Sequence, residues 1–482
     1  MDGGAAAVAE THISVVFFLG ERAYKLKKPV RFEFVDLSTR EARERICHRE
    51  VELNRRLAPD VYLGVLDIVD AEGHLRDHLV EMRRMPSDRR LSTLVTQGAP
   101  VDACLRHLAR TIAAFHVNAD TSPEIASAAS PEAIRRNWTD NATEMQPFAG
   151  SVLEPGRLER VHELALRYLD GREALLRSRM DGDHIRDGHG DLLADDIFCL
   201  EDGPRVLDCI EFADRLRYGD LIADVAFLAM DLERLGSPGL GDSFLAWYRE
   251  FSGERCPASL ADHYIAYRAQ VRSKVACLRH EQGDGSAADE ARSLLDLAHR
   301  RLERSRVRFV LVGGLPGTGK TTLAAAISDR AGWGLLRSDE IRKDITGHGH
   351  TDDAAADYGR GIYAPDVTRR TYAELLHRAA HLLARGTSVV ADASWVDARL
   401  RSDAAAVAER TCSDLVELRC VAPGSITSER IRSRAGDASD ATTDVAERMA
   451  TAMDPWPTST QIETVGSLDH TLEAALERIG AV

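Results

Sequence analysis

The sequence predicts two domains of different class. The first is an α+β domain built from a small antiparallel sheet and a helical lobe, and the second is an α/β domain with a doubly wound parallel sheet and helices on both faces. Three observations carry this. A strand-turn-strand pattern over Val15 to Lys27 leads into a helix and two further strands, after which the periodicity from Val101 onward is helical. A second stretch, Arg308 to Thr322, sets an apolar strand directly before Gly-Gly-Leu-Pro-Gly-Thr-Gly-Lys-Thr-Thr and a helix, the opening unit of a parallel sheet. The chain of 482 residues is also too long for one core, given about 150 residues per domain.

In chain order, Val15–Leu19 is β-branched and aromatic, Gly20-Glu21 is a turn signal, and Ala23–Lys27 alternates small or apolar residues with lysines. Alternation puts Ala23 and Lys25 on one face, with Lys27 beside them. A kinase-type strand uses that geometry to lay a small residue under adenine and a lysine on the α/β phosphates, so Lys25 is the candidate and Lys27 the second choice. Ser38 or Thr39 caps a helix running to about Leu57, with Glu41 or Glu44 in its first turn. Glu50 on its inner half is the carboxylate best placed to hold the lysine, ahead of Glu44 and Glu52. Strands follow at Tyr62–Val69 and His78–Met82. Helices are expected at Val101–Val117, Gly156–Arg179, Leu221–Leu235, Gly241–Phe251 and Ser259–Arg279, with Asp220 capping the third.

Between these helices, Asp187-Gly188-His189-Gly190-Asp191 leads through Asp195-Asp196 and a strand at Arg205–Leu207 to Asp208-Cys209-Ile210-Glu211. His189-Gly190-Asp191, a metal-ligand position at Asp196 and Asp208 after the next strand resemble the catalytic loop and metal-binding aspartate of the aminoglycoside phosphotransferase family, kin to eukaryotic-type protein kinases. The resemblance implies that Asp191 accepts the proton of an attacking hydroxyl while Asp196 and Asp208 hold Mg²⁺. Two departures stand out: Asp196 occupies a position where the family has Asn, and in place of a glycine-rich roof there is only Glu10-Thr11-His12-Ile13-Ser14 before the first strand, so that either this short loop covers the phosphates or the start is abbreviated. Tyr264, Arg268, Arg272 and Arg279 form a stripe on the last long helix of this lobe, from which Arg268 and Arg272 are candidates to grip an anionic acceptor.

A Gly/Ser/Asp-rich segment at Glu281–Ala288 and a helix at Glu290–Arg304 place the boundary near Ser305, giving domains 1–305 and 306–482. In the second, Gly314, Gly319, Lys320 and Thr321 fill the positions of G-x-x-x-x-G-K-[ST], a phosphate-binding loop. Backbone N–H groups of Gly317, Thr318 and the following residues turn onto the phosphates, Lys320 reaches the β/γ oxygens, Thr321 holds Mg²⁺, and Thr322 completes the helix start. After the strand Trp333–Arg337, Asp339 is the candidate base, or a helix cap with Ser338, and Arg342 a candidate acceptor ligand. A helix at Tyr372–Ala384 precedes the strand Thr387–Ala391, which ends at Asp392, a candidate for ordering the Mg²⁺ water shell. Arg430 and Arg434 lie on one helical face as lid arginines, with surface salt bridging the bland alternative. This half resembles the small P-loop kinases, including gluconate-kinase-like and zeta-toxin-like proteins. The order of the two halves resembles a bacterial family of fused proteins.

Composition narrows the classes. With 44% hydrophobic and 29% charged residues the chain is an ordinary globular protein without an apolar run long enough to span a membrane. Met1–Glu10 is small and acidic, unlike a signal peptide. A formal net charge of −15 disfavours a nucleic-acid partner. The eight cysteines include no C-x-x-C pair and read as reduced core residues of a cytoplasmic protein. The expectation is an ATP- and Mg²⁺-dependent phosphotransferase with two nucleotide sites, acting on hydroxyl groups of sugar-like or antibiotic-like small molecules. The alternative is a regulatory protein whose N-terminal half senses ligand while the P-loop half hydrolyses ATP.

Overall fold

In the computed structural model, the described residues are 7–10, 13–32, 35–347, 361, 364–433 and 443–480. They divide into two units: Met1–His162, Leu176–Cys256 and Ala261–Arg301 form one, and Glu163–Leu175, Pro257–Leu260 and Leu302–Val482 the other.

The first unit begins with a five-stranded antiparallel sheet. Its strands are β1 (Ala7–Glu10), β2 (Ser14–Leu19) and β3 (Arg22–Lys27), then, after the short pair β4 (Arg31–Phe32) and β5 (Val35–Asp36) and the helix α1 (Arg40–Asn54), β6 (Tyr62–Val69) and β7 (Leu75–Arg83). The spatial order is β1-β2-β3-β7-β6. The expected hairpin is β2–β3, pairing Val16 with Lys25, and Gly20 at φ 57° supplies the left-handed residue of its two-residue turn. The strand β1 is an addition, because Val15 was read as lying in the first strand; Glu10 pairs with Val15 across a short connection that includes Thr11 and His12, both outside the described residues. The cap of α1 is Thr39, whose hydroxyl accepts from Ala42 N–H at 3.2 Å. Cys47 and Val51 of α1 pack with Val61, Tyr62, Val80 and Met82 into the core beneath the sheet.

Next in the chain come α2 (Leu91–Thr96), α3 (Asp102–Asn118), α4 (Pro123–Ser127), α5 (Pro131–Met145), α6 (Pro155–Gly171) and α7 (Glu173–Asp181), with Glu163–Leu175 of the last two counted in the second unit. There follow β8 (Ile185–Asp187), β9 (Ile197–Leu200), β10 (Gly203–Val206), β11 (Tyr218–Asp220), α8 (Leu221–Arg234), α9 (Pro238–Ser252), α10 (Ala258–Glu281) and α11 (Ala287–Ser305). The single helix expected over Gly156–Arg179 is two, α6 and α7. Gly171 lowers helix propensity at the junction, and the Arg172 N–H turns back to Leu169 O at 3.1 Å. Asp220 caps α8 as expected, accepting from Ile222 N–H at 2.8 Å. The cysteines need a correction: Cys104 on α3 and Cys199 on β9 are joined in a disulfide across 95 residues, a tertiary encounter that no local pattern announces.

The second unit runs β12 (Arg308–Gly313), α12 (Lys320–Ala331), β13 (Gly334–Arg337), α13 (Ser338–Thr346), α14 (Pro365–Ala384), β14 (Val389–Asp392), α15 (Ala398–Arg410), β15 (Asp414–Val421), α16 (Gly424–Arg432), α17 (Thr443–Ala452), β16 (Thr460–Glu463) and α18 (Leu468–Ile479). Five parallel strands lie in the order β13-β14-β12-β15-β16. Val310 and Val312 share a core with Leu323 and Ile327 of α12 and Leu476 of α18. The register aligns Val312, Asp392 and Arg337 in one row at the carboxyl edge, where open parallel sheets bind ligands.

Candidate active sites

Strand alternation turns Ala23, Lys25 and Lys27 to the buried face of β3. The fully buried Glu50 of α1 lies between the two lysines: Oε1 is 2.8 Å from Lys25 Nζ and Oε2 is 2.6 Å from Lys27 Nζ. Lys25 Nζ also lies 2.5 Å from Asp208 Oδ1, and Lys27 Nζ 2.6 Å from Glu211 Oε1. The result is a chain of alternating sign, Asp208–Lys25–Glu50–Lys27–Glu211. Burial by itself would lower the Lys25 pKa, but Asp208 and then Glu50 outweigh it and hold the ammonium well above the ordinary lysine range. Burial would likewise raise Glu50, yet Lys25 and Lys27 keep its carboxyl below the usual range. Glu211 goes up, because burial exceeds the pull of Lys27. The alternatives Glu44 and Glu52 point elsewhere: Glu52 pairs with Arg49 at 2.8 Å and Glu44 faces His78 at 3.7 Å.

The loop after β8 is held from below by α8. Asp224 Oδ2 accepts from His189 N–H and Oδ1 from Gly190 N–H, each at 2.8 Å, and Asp231 accepts from Ala194 N–H at 2.9 Å. His116 Nε2 lies 3.0 Å from Asp224 Oδ2, and with His189 it drives the Asp224 carboxyl far below its ordinary range despite burial. His189 Nε2–H donates to Leu207 O at 3.1 Å, and burial keeps the ring below the usual imidazole range, so the tautomer is fixed.

Asp191, Asp196 and Asp208 crowd one another on top of this loop. Burial, Asp208 and Asp231 push the Asp191 carboxyl up to about 6 against the opposing charges of Arg272 and Arg268. Burial, Asp208 and Asp191 carry Asp196 well above the carboxylate range. Asp208 alone stays below it, because Lys25 outweighs burial. Its backbone sits at φ 64°, a conformation costly for a residue other than glycine. Two carboxyls raised by their acidic neighbours, beside the ionised Asp208, fit a site for a divalent cation.

In the second unit, Gly319 at φ 81° precedes Lys320, the first residue of α12. Gly317 has φ 82°, and a Cβ there would meet Thr427 O at 2.6 Å; at Gly314 a Cβ would lie 2.7 Å from both Cys420 O and Thr318 Oγ1. Thr318 Oγ1 donates to Leu315 O at 2.7 Å, fixing the loop from within. Arg430 of α16 reaches over this loop, with Nη2 donating to Thr464 O at 2.7 Å and Nη1 3.5 Å from Gly317 O. A cavity of about 440 Å³ opens between them, lined by Lys320, Thr321, Thr322, Arg430, Thr464 and Leu468.

Asp392 is buried at the end of β14, where burial raises its pKa while Lys320 and the Thr321 hydroxyl pull it back and Asp339 adds to the rise. Its Oδ1 has no hydrogen-bond partner among the described residues, and such an orphaned carboxylate oxygen beside Thr321 suits a hydrated cation. Asp339 lies in the first turn of α13 with Arg342 Nη1 2.5 Å from its Oδ1. Neither Ser338 nor Asp339 is the cap of α13; that position is Arg337.

Residues 19–262 match the phosphotransferase enzyme family, and residues 309–456 match an AAA domain. The chain belongs to the phosphotransferase enzyme family. Uncharacterized proteins of Mycobacterium tuberculosis and Mycobacterium bovis are 42% identical to it over 468 residues, 97% of this chain and 94% of theirs. Solved structures similar to parts of it include a sugar kinase from Janibacter sp. HTCC2649, with 18% identity, TM-score 0.29, 36% of this chain and 95% of that one. Another is a choline/ethanolamine kinase family protein from Mesorhizobium loti, with 14% identity, TM-score 0.40, 62% of this chain and 91% of that one.

In this phosphotransferase the arginine stripe of α10 divides. Arg279 pairs with Asp284 at 2.5 Å and Glu290 at 2.9 Å. Arg268 and Arg272 instead bring their charge to Asp191. Of the two lid arginines, Arg430 stands at the P-loop and Arg434 lies outside the described residues. Two groups escaped the sequence reading. Asp224 and Asp231 were legible as two acids one heptad apart in the otherwise apolar Leu221–Leu232 run. Thr464, whose hydroxyl donates to Thr318 O at 2.6 Å, carried no sequence signal.

Proposed function

We propose that the chain is an ATP-dependent phosphotransferase with two nucleotide sites, one in residues 1–305 and one in residues 306–482, each passing a γ-phosphoryl group to a hydroxyl of a small molecule. The observation that carries this is Lys25 Nζ held 2.8 Å from Glu50 and 2.5 Å from Asp208, with Asp191 and Asp196 beside Asp208 and a complete P-loop in the second unit.

In the N-terminal site, Lys25 exchanges its Asp208 contact for phosphate oxygens while Glu50 keeps the ammonium charged and in place. Asp191 accepts the proton as the acceptor oxygen forms its bond to the γ-phosphorus, and the bond to the β–γ bridging oxygen breaks to release ADP. Asp196 and Asp208 would hold Mg²⁺. In the C-terminal site, the loop from Gly314 to Thr322 cradles the phosphates, Lys320 and Arg430 face the transferring group, Thr321 and Asp392 would hold Mg²⁺ and its water, and Asp339 is the base with Arg342 toward the acceptor. Bound Mg²⁺ supplies neutralisation of the charge that spreads over the phosphoryl oxygens.

The test is an acceptor screen with labelled ATP on the full chain, beside Asp191→Asn and Lys320→Ala. Two active sites require each variant to lose part of the phosphotransfer and the pair together to lose all of it. Asp191→Asn that changes nothing while Lys320→Ala abolishes turnover would make the N-terminal half a sensor.

A further inference from the structure

We infer that the acceptor of the N-terminal site is itself an anion, a small alcohol bearing a phosphate or carboxylate that Arg268 and Arg272 receive beside Asp191. This rests on the reading of Asp191 as the group that accepts the acceptor's proton.

Arg268 is built into position. Its Nε–H donates to Ala223 O at 3.1 Å, one residue from the aspartate that fixes the catalytic loop, and its guanidinium lies 4.6 Å over the Phe227 ring. The Tyr267 ring also lies 5.8 Å away, and these contacts use Nε and the planar surface; the two terminal nitrogens make no hydrogen bond among the described residues. Arg272 follows one turn later on α10, half-buried, with neither a hydrogen bond nor an ion pair among the described residues. Two half-buried guanidinium groups on adjacent turns repel each other, and a fold keeps such an arrangement at a cost unless an anion joins them.

The surrounding charge is already committed. Asp231 binds Ala194 N–H and, at 2.7 Å, Arg234 Nε. Asp208 faces Lys25, and Lys274 farther along α10 is paired with Glu144 at 3.0 Å. Of the charged groups acting on Asp191, Arg268 and Arg272 are the cations, and neither has an ion-pair partner among the described residues. The planar forks of the arginines match the oxygens of a phosphate or carboxylate, and they oppose a polycation.

The arginines could alternatively serve only the charge of Asp191, and the two roles separate in kinetics. With Lys320→Ala silencing the P-loop site, Asp191-dependent ADP production is measured with glucose, glucose 6-phosphate, gluconate and kanamycin. The expected result is a kcat/KM at least about 10-fold higher for an anionic compound than for glucose, declining with added salt. Arg272→Gln is expected to raise the KM of that anion about 10-fold and erase the preference, and Arg272→Lys to restore part of it. Equal or better use of glucose or kanamycin overturns the inference and leaves the phosphotransferase reading standing, as does an Arg272→Gln effect on kcat that is the same for charged and uncharged acceptors. If no compound in any series is phosphorylated, the reading of Asp191 falls and the inference with it. The charge series on the unsubstituted arginines decides the matter even if Arg272→Gln does not fold.

Discussion

Glu50 Oε1 lies 2.8 Å from Lys25 Nζ, and the other oxygen of the same carboxylate lies 2.6 Å from Lys27 Nζ, so one buried acid orders both lysines of a strand. Removing its charge leaves each buried ammonium with only its outer acid, Asp208 for Lys25 and Glu211 for Lys27. Glu50→Gln is expected to cost about 3–5 kcal/mol in denaturant unfolding of the first unit, the range found when one partner of a buried ion pair is removed. N-terminal ADP production should fall with it. A variant as stable and active as the parent would show that the charge chain has no role.

Asp224 supplies the acceptors for His189 and Gly190 N–H, and its effect reaches Asp191 through the loop. Asp224→Asn keeps the shape but replaces one acceptor oxygen with a donor. In the Lys320→Ala background, kcat should drop about 10-fold or more while the KM for ATP stays within about 2-fold, as for loss of a charged hydrogen bond. An unchanged kcat would refute the anchoring role.

Gly317 combines φ 82° with a Cβ position 2.6 Å from Thr427 O. Gly317→Ala should cost about 1–3 kcal/mol of stability in the second unit through that clash and the strained backbone. ATP binding at the P-loop, followed by calorimetry as the component that Lys320→Ala removes, should weaken in parallel. Wild-type affinity would mean that the loop relaxes without moving its N–H groups.

Glu254 gives a pH test away from both sites. It accepts from Arg179 Nη1 at 3.0 Å and Nη2 at 3.2 Å, and His184 Nδ1 is 2.9 Å away. Burial opposes its ionisation, but His184 and Arg179 lower its pKa from 4.5 to about 2. A depressed folded-state pKa contributes stability that is complete above about pH 4.5 and is lost as the pH falls toward 2. The contribution is roughly 3 kcal/mol for this shift. Unfolding free energies measured from pH 6 down to 3 should fall less steeply for Glu254→Gln than for the parent; parallel slopes would rule the pair out.

The parts of both sites that were legible in the sequence are those carried by short stretches. Alternation alone places Lys25 and Lys27 on one face of β3, and the spacing of Gly314, Gly319, Lys320 and Thr321 follows from what a phosphate loop needs of its backbone. Helix ends were less legible, as the break at Gly171 shows, because propensity decides only part of where a helix stops. The strand β1 was missed because Ala7–Glu10 is exposed throughout and has no buried face to impose an alternating pattern.

The sequence by itself determined the two classes of domain, the P-loop and the acidic loop from Asp187 to Glu211, since each depends on residues near one another in the chain. Only the tertiary structure decided that Glu50 serves two lysines rather than one, and that Asp224 holds the loop of Asp191. It also placed Arg430 and Thr464 over the P-loop, and joined Cys104 to Cys199. These are encounters between side chains tens to hundreds of residues apart, set by how sheets and helices pack, and local periodicity carries no record of them.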